Sequence, residues 1–270
     1  MKRVYLEICN ACDLNCPFCS YEKGSSFMTL EDINRYTDQI RPFCNYLYLH
    51  ILGEPLMHPD FEKIMDMMDR KGFHIQLVTN GTLLKDHPDL LQHQSLRKLS
   101  ISVHSMNYSD SFPDYFDQID RLIEKEHDCT IELRFYKTEK TAKSVNDYKR
   151  ILIERFGSKQ TRKKGSYQLD KDLYLYEEEL FRWPDMNDPI ISHEGTCHGG
   201  IDMIAINHEG IVTLCCLDPQ AHNRLGDLKK DTLADILSSE KYLKVCEDLK
   251  NGKIDLDLCA RCQYRLRFSS

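Results

Sequence analysis

The chain has 270 residues, 29% of them charged, with a net charge of −7. That acidic balance gives no global reason to expect nucleic acid or a membrane surface as a partner. No apolar run reaches the roughly 18–20 residues a membrane span needs. The length suits one large domain, or a domain with a small appendage, that buries roughly three quarters of its unfolded surface. A first strand starts almost at Met1 with no secretory apolar region before it, so a cytoplasmic protein is expected. In that setting the twelve cysteines point to metal or redox chemistry rather than disulfides.

The apolar stretch Val4–Ile8 leads into Cys12-Asp13-Leu14-Asn15-Cys16-Pro17-Phe18-Cys19. Three thiols at this spacing can reach one centre, one ligand short of the four that a cubane cluster accepts. A structural zinc site would be closed by four ligands. Thr29-Leu30-Glu31-Asp32 is a capping box that opens a helix with Ile33, Tyr36 and Ile40 on one face. Tyr46–Leu52 reads as a buried strand ending at Gly53-Glu54-Pro55. A helix from about Asp60 carries Phe61, Ile64, Met65 and Met68 as core and stops at Gly72.

Strand Ile75–Val78 ends at Thr79-Asn80-Gly81, and a helix over 86–93 leads to strand Leu99–Val103, which ends at His104. Helix 115–126, strand Thr130–Tyr136, helix 145–156 and a sixth strand within Leu169–Tyr176 complete the series. The alternation predicts successive right-handed βα units on a parallel sheet. Polar and special residues recur at the strand C-termini, where βα barrels assemble active sites.

The basic, turn-rich segment 157–166 reads as a solvated loop, and 177–196 as a connection between domains. Beyond it, Ile201–Ile206 and Ile211–Leu214 flank a turn at Asn207-His208-Glu209-Gly210, which signals a hairpin. Two helices follow, the first opened by Asp231 or Thr232. Cys259 and Cys262, with Cys197 and Cys215, supply four thiols, enough for a closed zinc or iron–sulfur site. Cys44, Cys129 and Cys246 stand alone in apolar or periodic stretches and read as buried thiols.

With Cys12-x3-Cys16-x2-Cys19 after the first strand and Gly53-Glu54-Pro55 after the second, the sequence resembles the radical S-adenosylmethionine (SAM) superfamily. The resemblance covers most of the chain. It implies an α/β fold, a partial (β/α)6 TIM-like barrel, with Cys12, Cys16 and Cys19 holding a 4Fe–4S cluster whose open iron takes SAM. Reductive cleavage would then yield a 5′-deoxyadenosyl radical that abstracts a substrate hydrogen. Residue by residue, Glu54 and the Gly53 backbone would hold the SAM ammonium and Phe18 would approach the adenine. Ser102 would bind the methionine end, although His104 and Ser105 depart from the family's pattern. Asn80 and Arg134 are further rim positions.

The C-terminal part resembles the twitch domain, a shortened SPASM domain, through Cys197, Gly210-x4-Cys215 and Cys259-x2-Cys262. That likeness implies a fully ligated auxiliary 4Fe–4S cluster and an electron-accepting role for it. Cys216 competes with Cys215, but the Gly-x4-Cys register and strand alternation favour Cys215. Cys9 lies outside the signature. The expected division is residues 1–176 as barrel, 177–196 as linker and 197–270 as cluster domain.

Twitch relatives include an aminocyclitol dehydrogenase and peptide-modifying enzymes, so the resemblance implies an oxidoreductase acting on a small hydroxylated metabolite or a peptide. No extension precedes the first strand as a leader-recognition domain, which favours a small molecule. A flavodoxin- or ferredoxin-like electron donor, a monomeric state and no nucleic-acid partner are expected. His104, Arg134, Tyr136 and Asp218 stay open as the proton acceptor. The competing readings are a non-catalytic zinc or iron–sulfur scaffold and an RNA-modifying enzyme.

Overall fold

A computed structural model describes residues 1–19, 24–108, 112–137 and 141–268. In chain order come β1 (Arg3–Leu6), α1 (Leu30–Ile40), β2 (Tyr46–Tyr48), α2 (Phe61–Lys71), β3 (His74–Thr79), β4 (Leu96–Ile101), α3 (Tyr115–Ile123), β5 (Thr130–Lys137) and α4 (Lys143–Phe156). They are followed by β6 (Lys159–Gln160), β7 (Ser166–Gln168), β8 (Leu173–Glu179), β9 (Met203–Ile206), β10 (Ile211–Thr213) and β11 (Gly226–Asp227). Three short helices finish the chain: α5 (Leu233–Ser238), α6 (Glu240–Lys250) and α7 (Asp257–Arg261).

These elements form two compact units, one of residues 1–11, 18–53 and 181–270, the other of residues 12–17 and 54–180. In the first, β1 pairs in parallel with both β2 and β9, and β9 continues antiparallel through β10 to β11. The C-terminal hairpin therefore extends the sheet that contains the N-terminal strand. In the second, β3, β4, β5 and β8 are parallel neighbours, and β7 and β6 extend them antiparallel. β8 runs to Glu179, into the stretch expected to connect domains.

The helix signals act as the sequence suggests. Thr29 caps α1 by accepting the Asp32 N–H at 3.1 Å, and Ile33, Tyr36 and Ile40 are buried. Gly72 closes α2 with φ +66°, over a face of Phe61, Ile64, Met65 and Met68. Alternation along β5 buries Ile131, Leu133 and Phe135, while Glu132 and Arg134 on its other face are half-buried.

Four local expectations are corrected. β2 spans only three residues, Tyr46–Tyr48, and beyond it the Leu52 N–H donates to the Glu7 carboxylate at 3.1 Å instead of to a strand neighbour. The helix expected over 86–93 is two short 3-10 turns, Leu84–Asp86 and Leu90–Gln92. Pro88 lies between them, supplies no N–H and disfavours helical geometry at His87. β4 ends at Ile101, and Val103–Tyr108 coils into a 3-10 turn that carries His104. The segment 157–166 contains β6, the start of β7 and the turn between them, rather than a simple solvated loop. Gly165 permits this: at φ +74°, a Cβ there would lie 2.1 Å from the Glu177 carbonyl oxygen.

Candidate active site

The site of the second unit is built on Glu54, which is almost completely buried. Its Oε1 accepts the Leu56 N–H at 3.1 Å and the Thr79 hydroxyl at 2.7 Å, and its Oε2 accepts the Asn80 N–H at 2.6 Å. Burial pushes the Glu54 carboxyl up to about 7, against the hydrogen bonds that favour its ionised form. A cation bound there would reverse the cost of burying that charge.

Asn80 faces both ways. Its Nδ2 donates to Asp13 Oδ1 at 2.7 Å and lies 3.8 Å from the Cys12 sulfur, and the Thr82 hydroxyl donates to Asp13 Oδ2 at 2.5 Å. The loop after β3 thus grips the cysteine loop through Asp13. Tyr115 from α3 supports this grip by donating to the Asn80 carbonyl at 2.7 Å. Burial raises the Cys12 thiol to about 11. Cys16 is half-buried and Cys19 exposed, and Phe18 between them is half-buried. Three thiols, an N–H donor aimed at one sulfur and an acceptor-rich pocket suit an open iron–sulfur cluster and a cationic cofactor.

Gly53 has φ +72°, and a Cβ there would come within 2.6 Å of the Cys9 carbonyl oxygen and 2.9 Å of that of Ala11. Only glycine lets the two backbones meet so closely. Ser102 follows β4, with its N–H donating to the Thr79 carbonyl at 2.8 Å.

Farther along the same unit, the β4–β5–β8 ladder sets Ser100 opposite Glu132, Glu132 opposite Tyr174, and Arg134 opposite Tyr176. This face is polar and charged. Lys98 pairs with Glu132 at 2.7 Å, and the Lys163 ammonium from the β6–β7 turn sits 3.9 Å from the Tyr176 ring centre. His104 stacks on Tyr136 with centroids 4.6 Å apart, and its Nδ1 is 3.1 Å from the Arg134 carbonyl oxygen. That acceptor requires Nδ1–H, which leaves Nε2 as the lone pair. Burial lowers the His104 imidazole to about 4, so it is neutral and weakly basic at pH 7. The Arg134 guanidinium donates to the Tyr136 hydroxyl. Arg134 Nε is buried and has no hydrogen-bond partner among the described residues.

In the first unit, Cys197, Cys215, Cys259 and Cys262 gather around the C-terminal turn. Cys259 lies on α7 and Cys262 caps it. The Gly199 N–H donates to the Cys197 sulfur at 3.4 Å, and Asn223 Nδ2 donates to the Cys259 sulfur at 3.4 Å. Burial pushes Cys259 up to about 12, and the neighbouring Cys197 and Cys262 thiols add to it. Cys215 is raised well above the ordinary thiol range by burial and by Cys216, Cys259 and Cys197. Such crowding opposes ionisation until a metal cation compensates, and N–H donors to sulfur suit thiolate ligands. The four residues fit a closed cluster.

Cys216 turns the other way. It packs against Ile51, Leu52 and Ala205, and the Tyr5 hydroxyl and Arg3 lower its thiol against a larger effect of burial that leaves it near 11. Asp218 is tied into its own loop, Oδ1 accepting the His222 N–H at 2.8 Å and Oδ2 the Asn223 N–H at 2.7 Å. Cys9, Cys44, Cys129 and Cys246 are buried.

Several residues escaped the sequence reading. Asp13 carried a usable signal, lying inside the cysteine motif. Thr79, Thr82 and Asn223 look like ordinary turn residues. Arg265 gave no sign of its role: it is buried and donates to the carbonyls of Cys259 at 3.0 Å, Glu194 at 2.9 Å and Ser192 at 2.7 Å.

A three-thiol loop next to the buried Glu54 carboxylate, and a separate four-thiol set, suit an iron–sulfur protein with two chemically distinct sites. Residues 6–136 match the model of the radical SAM superfamily, and residues 197–263 match the SPASM model of an iron–sulfur cluster-binding domain. The chain belongs to the radical SAM superfamily and carries a SPASM-type C-terminal domain, and its cofactors are SAM and 4Fe–4S clusters.

Among solved structures, it is similar to BtrN in complex with AdoMet and 2-DOIA (TM-score 0.64, 16% identity, 97% of this chain and 92% of that one). It is also similar to Streptococcus suis SuiB bound to precursor peptide SuiA (TM-score 0.62, 13% identity, 97% and 70%). These likenesses bear out the α/β partial-barrel fold. One curated relative is the tungsten-containing aldehyde ferredoxin oxidoreductase cofactor-modifying protein of Pyrococcus furiosus, 33% identical over 91 residues, 32% of this chain and 26% of that one. Another is a probable GTP 3′,8-cyclase of Pyrobaculum aerophilum, 27% identical over 109 residues, 39% of this chain and 35% of that one. The chain thus spans about a quarter to a third of the length of these relatives. Among the described residues, no helix is long and apolar enough to cross a membrane.

Proposed function

We propose that this radical SAM enzyme is a two-cluster oxidoreductase. The observation that carries the reading is the pairing, in one chain, of a three-thiol loop with a separate, half-buried set of four thiols. Cys12, Cys16 and Cys19 hold the first cluster. Cys197, Cys215, Cys259 and Cys262 hold the second.

Glu54, a buried carboxylate, receives the SAM ammonium, and Gly53 brings the backbone close beside it. Asn80 keeps the cysteine loop in place through Asp13. Phe18 faces the adenine, while Ser102 and Arg134 complete the cofactor's polar contacts. When held by these residues, SAM and the first cluster would supply radical chemistry for removing a substrate hydrogen atom, and the second cluster would offer an acceptor for the second electron of a two-electron oxidation, with the proton left to a base of this chain.

The substrate is a small hydroxylated metabolite or a peptide. The polar face of Lys98, Glu132, Arg134 and Tyr176 favours a polar small molecule, because Arg134 Nε is buried and offers an unused donor that an apolar substrate could not satisfy. His104, held neutral, is a poor proton acceptor. Asp218, with both oxygens on backbone N–H groups, serves its loop. Tyr136, whose hydroxyl accepts from the Arg134 guanidinium, is better placed as the proton acceptor than His104 or Asp218. The protein works in the cytoplasm as a monomer, with a flavodoxin- or ferredoxin-like donor supplying the first electron.

Anaerobic reconstitution with iron and sulfide, followed by dithionite and SAM, tests the reading. About eight irons per chain and 5′-deoxyadenosine are expected from two cubanes. Stoichiometric zinc with no SAM cleavage would overturn it.

A further inference from the structure

One buried network is used by none of the steps above. Glu7, just past β1, is 2% exposed. Its Oε1 accepts the Leu52 N–H at 3.1 Å, while Oε2 accepts the His208 N–H at 3.1 Å and faces His208 Nδ1 at 2.7 Å. His208 sits in the turn between β9 and β10, and its Nε2 is 3.0 Å from Asn10 Nδ2. Asn10 Oδ1 accepts the Ser26 N–H at 2.8 Å, which fixes the orientation of the amide. One assignment satisfies every contact: Asn10 donates to neutral His208, and His208 donates through Nδ1–H to the Glu7 carboxylate.

Asn10 also closes the cysteine loop. Its N–H donates to the Ser26 carbonyl at 3.1 Å, and its carbonyl accepts the Gly24 N–H at 3.3 Å. Gly24 has no room for a side chain, since a Cβ there would lie 2.1 Å from the Asn10 amide. Cys9 and Phe27 form an isolated bridge next to these bonds. The same residue that staples both ends of the loop is therefore held from the other side by the C-terminal hairpin, 198 positions away.

We infer that His208 is a positioning residue for the first cysteine loop: by bridging Glu7 to Asn10, it makes the geometry of Cys12, Cys16 and Cys19 depend on the C-terminal hairpin. A purely structural polar network would serve burial of Glu7 alone, and the link to Asn10 would be dispensable. The inference rests on the two-cluster reading for its meaning, but part of its test does not.

His208→Asn separates the two halves of the bridge. The asparagine amide can replace Nδ1 against Glu7 but is too short to reach Asn10. In the iron-free chain, alkylation by iodoacetamide is followed cysteine by cysteine by mass spectrometry. The half-buried Cys12 and Cys16 are expected to react roughly tenfold faster in His208→Asn, with the exposed Cys19 changing little and Cys197, Cys215, Cys259 and Cys262 unchanged. Asn10→Ala should act alike, and the double variant should add little to either. In the reconstituted enzyme, the SAM-induced change in the electron paramagnetic resonance spectrum of the reduced cluster should weaken, and the KM for SAM in uncoupled cleavage should rise more than kcat falls.

Unchanged rates at Cys12 and Cys16, equal acceleration at all seven cysteines, or additive effects of the two substitutions would overturn the inference. A wild-type chain that never loads iron would instead sink the functional reading, leaving the alkylation result interpretable.

Discussion

Asn80 donates through Nδ2 to Asp13 at 2.7 Å and, together with the Thr82 hydroxyl on the same carboxylate, joins the loop after β3 to the loop that carries Cys12 and Cys16. Its backbone N–H meanwhile donates to Glu54 at 2.6 Å. One residue thus ties the proposed SAM-binding carboxylate to the proposed cluster loop, and neither can shift without disturbing the other.

Replacing Asn80 with Ala should therefore weaken both iron retention at the first site and SAM cleavage, by roughly 10- to 100-fold, the usual cost of losing a residue that orients metal ligands. Asn80→Asp should be worse, because it sets a carboxylate against Asp13 and Glu54. Iron content and 5′-deoxyadenosine formation measure the two effects. Asp13→Asn should retain more activity than Asp13→Ala, since an amide can still accept from Asn80.

Glu54 and His104 predict opposing pH dependences of stability in the cofactor-free chain. The Glu54 carboxyl rises from 4.5 to about 7 on folding, so between these values the folded state holds more protons and stability falls as pH rises. The His104 imidazole drops from 6.5 to about 4, so there the unfolded state holds more protons and stability rises with pH. Each contribution is on the order of 3 kcal/mol, and in the wild type they largely cancel. Urea unfolding of Glu54→Gln should show stability increasing from pH 4 to 6.5, whereas His104→Phe should lose stability from pH 4.5 to 7. A flat profile in both variants would contradict these assignments.

The auxiliary thiols should be separable from the first three. Cys259→Ala or Cys262→Ala should reduce iron from about eight to about four per chain and stop product formation, while uncoupled SAM cleavage persists. Cys215→Ala should behave the same way. Cys216→Ala should keep the full iron content, because its thiol packs against Tyr5 and Ala205 rather than toward Cys197 and Cys259. Iron analysis of this pair decides between the adjacent cysteines.

Arg265→Met should destabilise the cofactor-free chain by about 3 kcal/mol, since it leaves three buried carbonyl acceptors without their donor. Arg265→Lys should recover only part of this, because an ammonium lacks the planar fork that reaches three acceptors. Urea titration gives the difference directly.

Much of this was legible in the amino-acid order. Cys12, Cys16 and Cys19, the Gly53-Glu54-Pro55 turn and the paired Cys259 and Cys262 are local patterns, and local spacing is what such motifs encode. Helix caps such as Thr29 and Gly72 were readable for the same reason: their partners lie within four residues. The corrections fall where distance enters. Pro88 broke a helix that periodicity alone suggested, and past the short β2 the Leu52 N–H turns to Glu7, 45 residues upstream.

The three-cysteine loop and the four later thiols were therefore legible in the sequence as candidate sites of metal chemistry. Only the tertiary structure decided that Asn80 grips Asp13, that Lys163 lies over Tyr176, and that His208 reaches Glu7 and Asn10 across some 200 positions. A buried hydrogen bond stabilises whichever chain segments bring its partners together, and nothing in the spacing of those partners along the chain records that they meet.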